Sequence, residues 1–268
     1  MEGLDFLLTP LQCPSLPKTD YIELGSGERI AILYEDRTVM AIDKPAGWML
    51  VPVSWQKTDR NLHAAILSSI EERAFWARSR SLRFLQHVHR LDAETSGILL
   101  MVKSQGALRP FSQLFESRQL DKRYWAVTSR RPAKPEWTCK LALQQDRQQI
   151  GRMQVDNRNG KPAETHFKVL YSGMKRTLLE AQPITGRTHQ IRIHAAESGC
   201  PIVGDPLYGA EPPQRGKAVM SMGLRAVRLE FPNPFDRRKT IIEAPTQSFL
   251  DEFGFGIDPT GKFHSVEK

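Results

Sequence analysis

Short apolar runs bounded by turn-forming residues alternate along this chain with stretches of helical period. Arg29-Ile30-Ala31-Ile32-Leu33-Tyr34 and Thr38-Val39-Met40-Ala41-Ile42 flank the turn Glu35-Asp36-Arg37, as a pair of neighbouring strands does, and lead into the breaker-rich Lys44-Pro45-Ala46-Gly47. Residues 58–80 are charged and helix-favouring, with Leu62, Ala65, Ile66 and Ser69 on one face. The continuous run Ile98-Leu99-Leu100-Met101-Val102 reads as a buried strand. Behind it, Ser104 suits the N-cap of a helix whose Ala107, Leu108, Phe111, Leu114 and Phe115 follow the 3.6 period. Pro110 inside that pattern should kink the helix or move its start later. Lys122-Arg123-Tyr124-Trp125-Ala126-Val127 alternates like a strand, and Thr188 can cap a helix ending near Gly199, where a left-handed turn is expected.

Residues 1–29 carry Pro10, Pro14 and Pro17 with no sustained period, and read as a poorly organised N-terminal arm before regular structure begins at Ile30. The 268 residues suffice for one large core or two small ones. No apolar stretch approaches the ~18 to 20 residues of a membrane span. A basic region followed by an apolar core is also missing from the N-terminus, so a cytoplasmic protein is expected. Cys13, Cys139 and Cys200 are odd in number and widely spaced, which fits neither a disulfide framework nor a zinc cluster. The formal charge of +8 favours a polyanionic partner through phosphate contacts and counterion release. Phe75 and Trp76 lie among Arg73, Arg78, Arg80 and Arg83, a combination suited either to a solvated helix end or to stacking on RNA bases.

The run His89-Arg90-Leu91-Asp92-Ala93-Glu94-Thr95-Ser96-Gly97 sets a carboxylate on the loop entering the apolar strand-like run at 98–102. A strand of that kind is a rigid support, so the carboxylate is held in place and stays reachable, as a catalytic acid must be. Read from its residues alone, Asp before Thr-Ser-Gly is also ordinary turn chemistry.

The run resembles the signature of the RluA family of pseudouridine synthases, in which the aspartate of an H-R-L-D-x-x-T-S-G loop is catalytic. The resemblance extends in order through Lys44-Pro45-Ala46-Gly47, Lys122-Arg123-Tyr124, Gly160-Lys161-Pro162-Ala163-Glu164-Thr165, Gly186-Arg187-Thr188-His189-Gln190-Ile191-Arg192 and Pro201-Ile202-Val203-Gly204-Asp205-Pro206-Leu207-Tyr208-Gly209. It fades in Leu224-Arg225-Ala226, where Arg225 stands for the usual His, and ends at Glu243-Ala244-Pro245. Met49-Leu50-Val51-Pro52 also lacks the His common after the K-P-x-G loop.

The resemblance implies an α+β pseudouridine synthase fold, with a mixed, largely antiparallel central sheet split by a basic catalytic cleft. The catalytic domain would span 30–245, with an arm at 1–29 and a C-terminal tail at 246–268. The preceding arm is too short for the S4 RNA-binding module many members carry, so none is expected. Asp92 is implied as the catalytic residue, Tyr124 as an active-site tyrosine lying against the base, and Arg187 as the arginine paired with Asp92. Arg90 is implied to fill the place of the extruded base. His89, Thr95, Ile191 and Arg192, in the same two motifs, are expected on the RNA-binding side.

Isomerising uridine cleaves the N1 to C1′ bond and rejoins the base through C5, with no redox change, metal or cofactor. One carboxylate either attacks C1′ or removes the C2′ proton, and the sequence is compatible with both routes. A monomer acting on a ribosomal or transfer RNA stem-loop, without metal, cofactor or membrane, is the resulting expectation. A catalytically silent RNA-binding module is the runner-up, opposed by the presence of Asp92, Tyr124 and Arg187. A carboxylate glycosidase would want a second acid within ~5 to 10 Å, and no paired motif is visible. His189 and His194 are five apart, whereas two metal ligands on one helical face need three or four, so both are read as structural.

Overall fold

The computed structural model describes residues 17–50, 60–210 and 220–266. Cys13, most of the proline-containing arm, the departure at Val51-Pro52 and the start of the 58–80 stretch lie outside them. Regular structure starts earlier than Ile30. Strands β1 (Tyr21–Glu23), β2 (Arg29–Glu35) and β3 (Val39–Lys44) form an antiparallel meander, with Ile22 paired to Ile30 and fully buried. Three residues are too few for an alternating pattern to declare itself in sequence. The β2–β3 turn closes because the Asp36 carboxylate accepts from the backbone N–H groups of Thr38 and Val39.

The 58–80 stretch holds two helices, α1 (Leu62–Glu71) and α2 (Phe75–Arg78), broken where Arg73 turns left-handed at φ 57°. Asn61 caps α1 by accepting from the Ala64 N–H. Trp76 does not face solvent. Its ring is 1% exposed and its Nε1 donates to Glu23 O and Ser69 Oγ, so it joins α2 to β1 and is closed to RNA. Arg80 likewise turns inward to Glu35 at 2.8 Å, leaving Phe75, Arg73, Arg78 and Arg83 exposed.

Next come β4 (Gln86–His87), β5 (Ser96–Val102) and α3 (Gln105–Glu116). Helix α3 starts directly after Ser104 and runs through Pro110, so the proline does not delay its start. The chain continues through β6 (Asp121–Thr128), β7 (Glu136–Cys139), β8 (Leu143–Gln145), β9 (Met153–Val155), β10 (Thr165–Ser172) and β11 (Thr177–Pro183). Helix α4 (Gln190–Glu197), β12 (Leu224–Pro232) and β13 (Lys239–Glu243) complete the part that builds the site.

The main sheet is mixed and largely antiparallel, in the order β1-β2-β3-β5-β12-β6-β11-β10-β7, with β4 and β13 paired at β5 and β12. Among the described strands its one parallel pairing, β5 with β12, aligns Ser96 with Arg225 and Gly97 with Ala226. Gly97 is required there. Its φ is 107°, and a Cβ would lie 2.2 Å from Ala226 O. Two cores meet at this seam: β3, β5, α1 and α3 bury one, and β6, β10, β11 and α4 bury the other. The cleft expected to split the sheet opens along the same line.

Residues 246–266 are part of the packed body rather than a tail. Helix α5 (Gln247–Phe253), β14 (Phe255–Ile257) and β15 (Phe263–Ser265) follow Pro245, and Phe249, Leu250, Phe253 and Phe255 bury against Val127 and Leu178. The short, interrupted apolar pattern after 245 hid this in the sequence.

Candidate active site

The cavity at the seam has a volume of about 840 Å³ and is lined by both signature loops, with Asp92, Tyr124 and Arg192 on its walls. Asp92 sits on the loop between β4 and β5. Its carbonyl accepts from the Thr95 N–H at 3.1 Å, so the turn chemistry and the display of a carboxylate coexist in one loop. Lys44, fully buried at the end of β3, donates to Pro45 O, Ala93 O and Thr95 O at 2.9–3.0 Å. One ammonium thus clamps the Lys44-Pro45-Ala46-Gly47 loop to the loop of Asp92. Burial pulls its pKa down to about 8 against the opposing charges of Glu94 and Asp92.

The arginine that pairs with Asp92 is Arg192, not Arg187. Arg192 Nη1 donates to Asp92 Oδ2 at 3.0 Å, while its Nε and Nη2 grip both oxygens of Asp205 at 2.8 Å. Arg187 lies in the loop before α4 and donates to Pro162 O at 3.2 Å. The reason is local. Thr188 does not cap the helix, because His189 takes the cap position in a left-handed conformation at φ 55°. The Gln190 side chain closes the loop instead, accepting from Thr185 Oγ1 and the Arg187 N–H and donating to Glu164 O and Thr165 Oγ1. That turn starts α4 three residues beyond Arg187 and sends Arg192 inward.

Asp205 is the anchor of the pair. Burial would raise its carboxyl, but the Arg192 hydrogen bonds and charge, with the Leu207 and Tyr208 N–H groups, outweigh it and hold the pKa below the ordinary range. Arg192 in turn is raised above the ordinary guanidinium value: burial opposes this, and Asp205 followed by Asp92 overcomes it. Its guanidinium also lies 5.2 Å from the Tyr208 ring centroid. Asp92 therefore faces a permanent cation whose orientation another carboxylate has already fixed.

Tyr124 projects from β6 and packs against both cores, so its ring lies at the seam. Burial, reinforced by the negative charge of Asp92, raises its hydroxyl above the ordinary phenol range and keeps it protonated. Ile191, 7% exposed, packs into the second core beside the cavity. Arg90 is exposed at the rim and reaches across the cleft to Thr188 Oγ1 at 3.2 Å. His89 has a different character from that expected. Its ring stacks on Phe115 at 4.7 Å and its Nε2 accepts from the Leu100 N–H, while burial, then the charge of Lys122, pushes its pKa down to about 3. It is a neutral packing residue. Thr95 is 2% exposed, and its Oγ1 has no hydrogen-bond partner among the described residues.

Asp205, Tyr208, Lys44 and His189 belong to the site although none was assigned a role from sequence. His189 Nε2 lies 3.9 Å from Asp92 Oδ2 while its Nδ1 meets the Tyr208 hydroxyl at 2.9 Å. The signal was the Gly204-Asp205-Pro206-Leu207-Tyr208-Gly209 motif itself, whose partner in space no linear spacing gives. Among the described residues, no three His, Cys, Asp or Glu side chains gather as a metal site.

A family model described as RNA pseudouridylate synthase matches residues 38–197. A ribosomal large subunit pseudouridine synthase C of Vibrio cholerae is 33% identical over 250 residues, covering 89% of this chain and 72% of that protein. An uncharacterised RNA pseudouridine synthase of Zymomonas mobilis is 34% identical over 226 residues, covering 84% of this chain and 97% of that protein. The solved structure of human RNA pseudouridylate synthase domain containing 1 shares the fold, with a TM-score of 0.67 at 23% identity, covering 92% of this chain and 94% of that one. Both the sequence match and the fold lead to one assignment: the chain belongs to the RNA pseudouridylate synthases, isomerases that convert uridine in RNA to pseudouridine.

Proposed function

We propose that this enzyme modifies a uridine of large-subunit ribosomal RNA, with Asp92 as its catalytic residue. The observation that carries the site is the chain of contacts from Asp205 through Arg192 to Asp92, opening on a cavity that also holds Tyr124. The choice of ribosomal RNA is supported by the Vibrio cholerae relative, whose name states that substrate.

In this reading the target uridine leaves its helix, because a stacked base is out of reach of any side chain. Arg90, exposed at the rim, fills the space it vacates. The uracil lies against the Tyr124 ring, whose protonated hydroxyl offers a donor at its edge. Asp92, oriented by its hydrogen bond from Arg192, attacks C1′ or takes the C2′ proton as the N1 to C1′ bond breaks. The base then turns and C5 joins C1′, displacing the Asp92 carboxylate in the first route or with the proton returned to C2′ in the second, and the C5 proton is lost while N1 gains one. No described helix is long and apolar enough to cross a membrane.

Pseudouridine mapping in total RNA from a strain lacking the gene tests the assignment. One or more large-subunit positions should revert to uridine and be restored by the wild-type gene but not by Asp92→Asn. Loss confined to transfer RNA would replace the substrate, and an unchanged map would reject it.

A further inference from the structure

Strand β6 carries a second polar group into the cavity. Alternation puts Lys122 on the same face as Tyr124, while Arg123 turns away to Asp121 and Glu180 at 3.1 Å. The Lys122 ammonium is half-buried beneath the loop that carries Arg187: a Cβ on Gly186 would lie 3.8 Å from its Nζ. Of the other cations lining the cavity, Arg118 is exposed to water and the rest have partners within the chain. Arg192 is held by two aspartates, Lys44 by three carbonyls, Arg90 by Thr188 and Arg187 by Pro162. The Lys122 ammonium has no hydrogen bond or ion pair among the described residues, and the neighbouring His89 ring is neutral.

A charge withdrawn from water without a partner costs stability, and such a cost persists where something outside the folded chain supplies the partner. Burial alone brings the Lys122 pKa down to about 8, so it is still mostly charged at neutral pH. An anion suits this site better than a lone uracil carbonyl, since Lys44 needs three carbonyl oxygens to hold its buried ammonium and a phosphate supplies charge and several acceptors at once. Two residues along a strand separate Lys122 from Tyr124 by roughly 7 Å, about one sugar away from a base resting on the tyrosine. We propose that Lys122 is the anchor for an RNA phosphate adjoining the target uridine, holding the extruded nucleotide by its backbone while Tyr124 takes the base.

The inference rests on this cavity being the seat of the isomerisation, so binding and turnover are to be read separately. Affinity is measured in an Asp92→Asn background with a stem-loop containing the uridine identified by mapping, carrying a neutral methylphosphonate at single positions. Lys122→Met should bind at least about tenfold more weakly, and Lys122→Arg should recover most of the loss. Methylphosphonate at one phosphate flanking the uridine should weaken the Lys122 protein by a similar factor and leave Lys122→Met unaffected. The thermal midpoint of Lys122→Met should equal or exceed that of the wild type, since an uncompensated charge has gone. Equal methylphosphonate penalties in both proteins would overturn the anchor, as would a lower midpoint or a fall in kcat at unchanged KM. Turnover surviving Asp92→Asn would instead sink the catalytic reading, leaving the anchor to be judged by the methylphosphonate pair.

Discussion

Two aspartates share Arg192, and their unequal exposure separates their tasks. The Asp205 side chain is 1% exposed and Asp92 22%. Asp92→Asn should therefore remove turnover by at least ~10³-fold while the fold keeps its stability, because Asp205 still holds the guanidinium. Asp205→Asn should do the reverse first, costing about 3 to 5 kcal/mol through a buried cation left half-paired. Urea denaturation and single-turnover assays on the two variants check this. The pH dependence follows from the lowered Asp205 pKa. Its stabilisation is complete above the ordinary carboxylate value of ~3.9 and is lost as pH falls through the lower folded value. The stability gap between wild type and Asp205→Asn should thus shrink only in strong acid. Arg90 and Arg192 also separate. A substrate with the target uridine already unpaired should rescue Arg90→Ala, whose defect is extrusion, and not Arg192→Met, whose defect is at the carboxylate; equal rescue would reject the division.

At the level of elements, the site depends on how closely β5 approaches β12. Gly97→Ala places a methyl against the Ala226 backbone at a positive φ, so the parallel contact must open. A loss of more than about 3 kcal/mol is expected, together with loss of activity, since Asp92 lies on the loop entering β5. Ending the chain after Pro245 should lower the thermal midpoint as well, because Val127 and Leu178 lose the cover of α5 and β14. A truncated chain melting with the full-length protein would contradict the packing described for the C-terminal segment. The Ser96-Gly97 step was visible in sequence as a turn, but its partner lies more than a hundred residues away and was not.

The whole molecule carries a formal charge of +8, and its cavity presents Arg90, Arg118, Lys122 and Arg187. Each phosphate contact adds roughly 0.7 to 0.9 to the slope of log affinity against log salt, so a slope of at least about 3 is expected. The chemistry assigned to Asp92 moves protons and a carbon–nitrogen bond without a Lewis acid. EDTA should leave turnover intact on a stem-loop that stays folded without magnesium. Activity lost on chelation and restored by zinc or manganese would mean that the histidines had been misread.

The sequence by itself determined which segments of the chain line the cavity. The two loops at 89–97 and 185–192, the strand bearing Tyr124 and the α+β class all stood in its motifs and apolar runs. The tertiary structure decided which side chains meet. In α4 the consecutive residues Gln190 to Ala195 are all buried, so no apolar stripe tells which face looks at Asp92, and the turn built by Gln190 puts Arg192 there in place of the expected Arg187. The same holds for Asp205, Trp76 and the segment after Pro245. Periodicity reports that a residue is buried against something; only the folded chain supplies the partner.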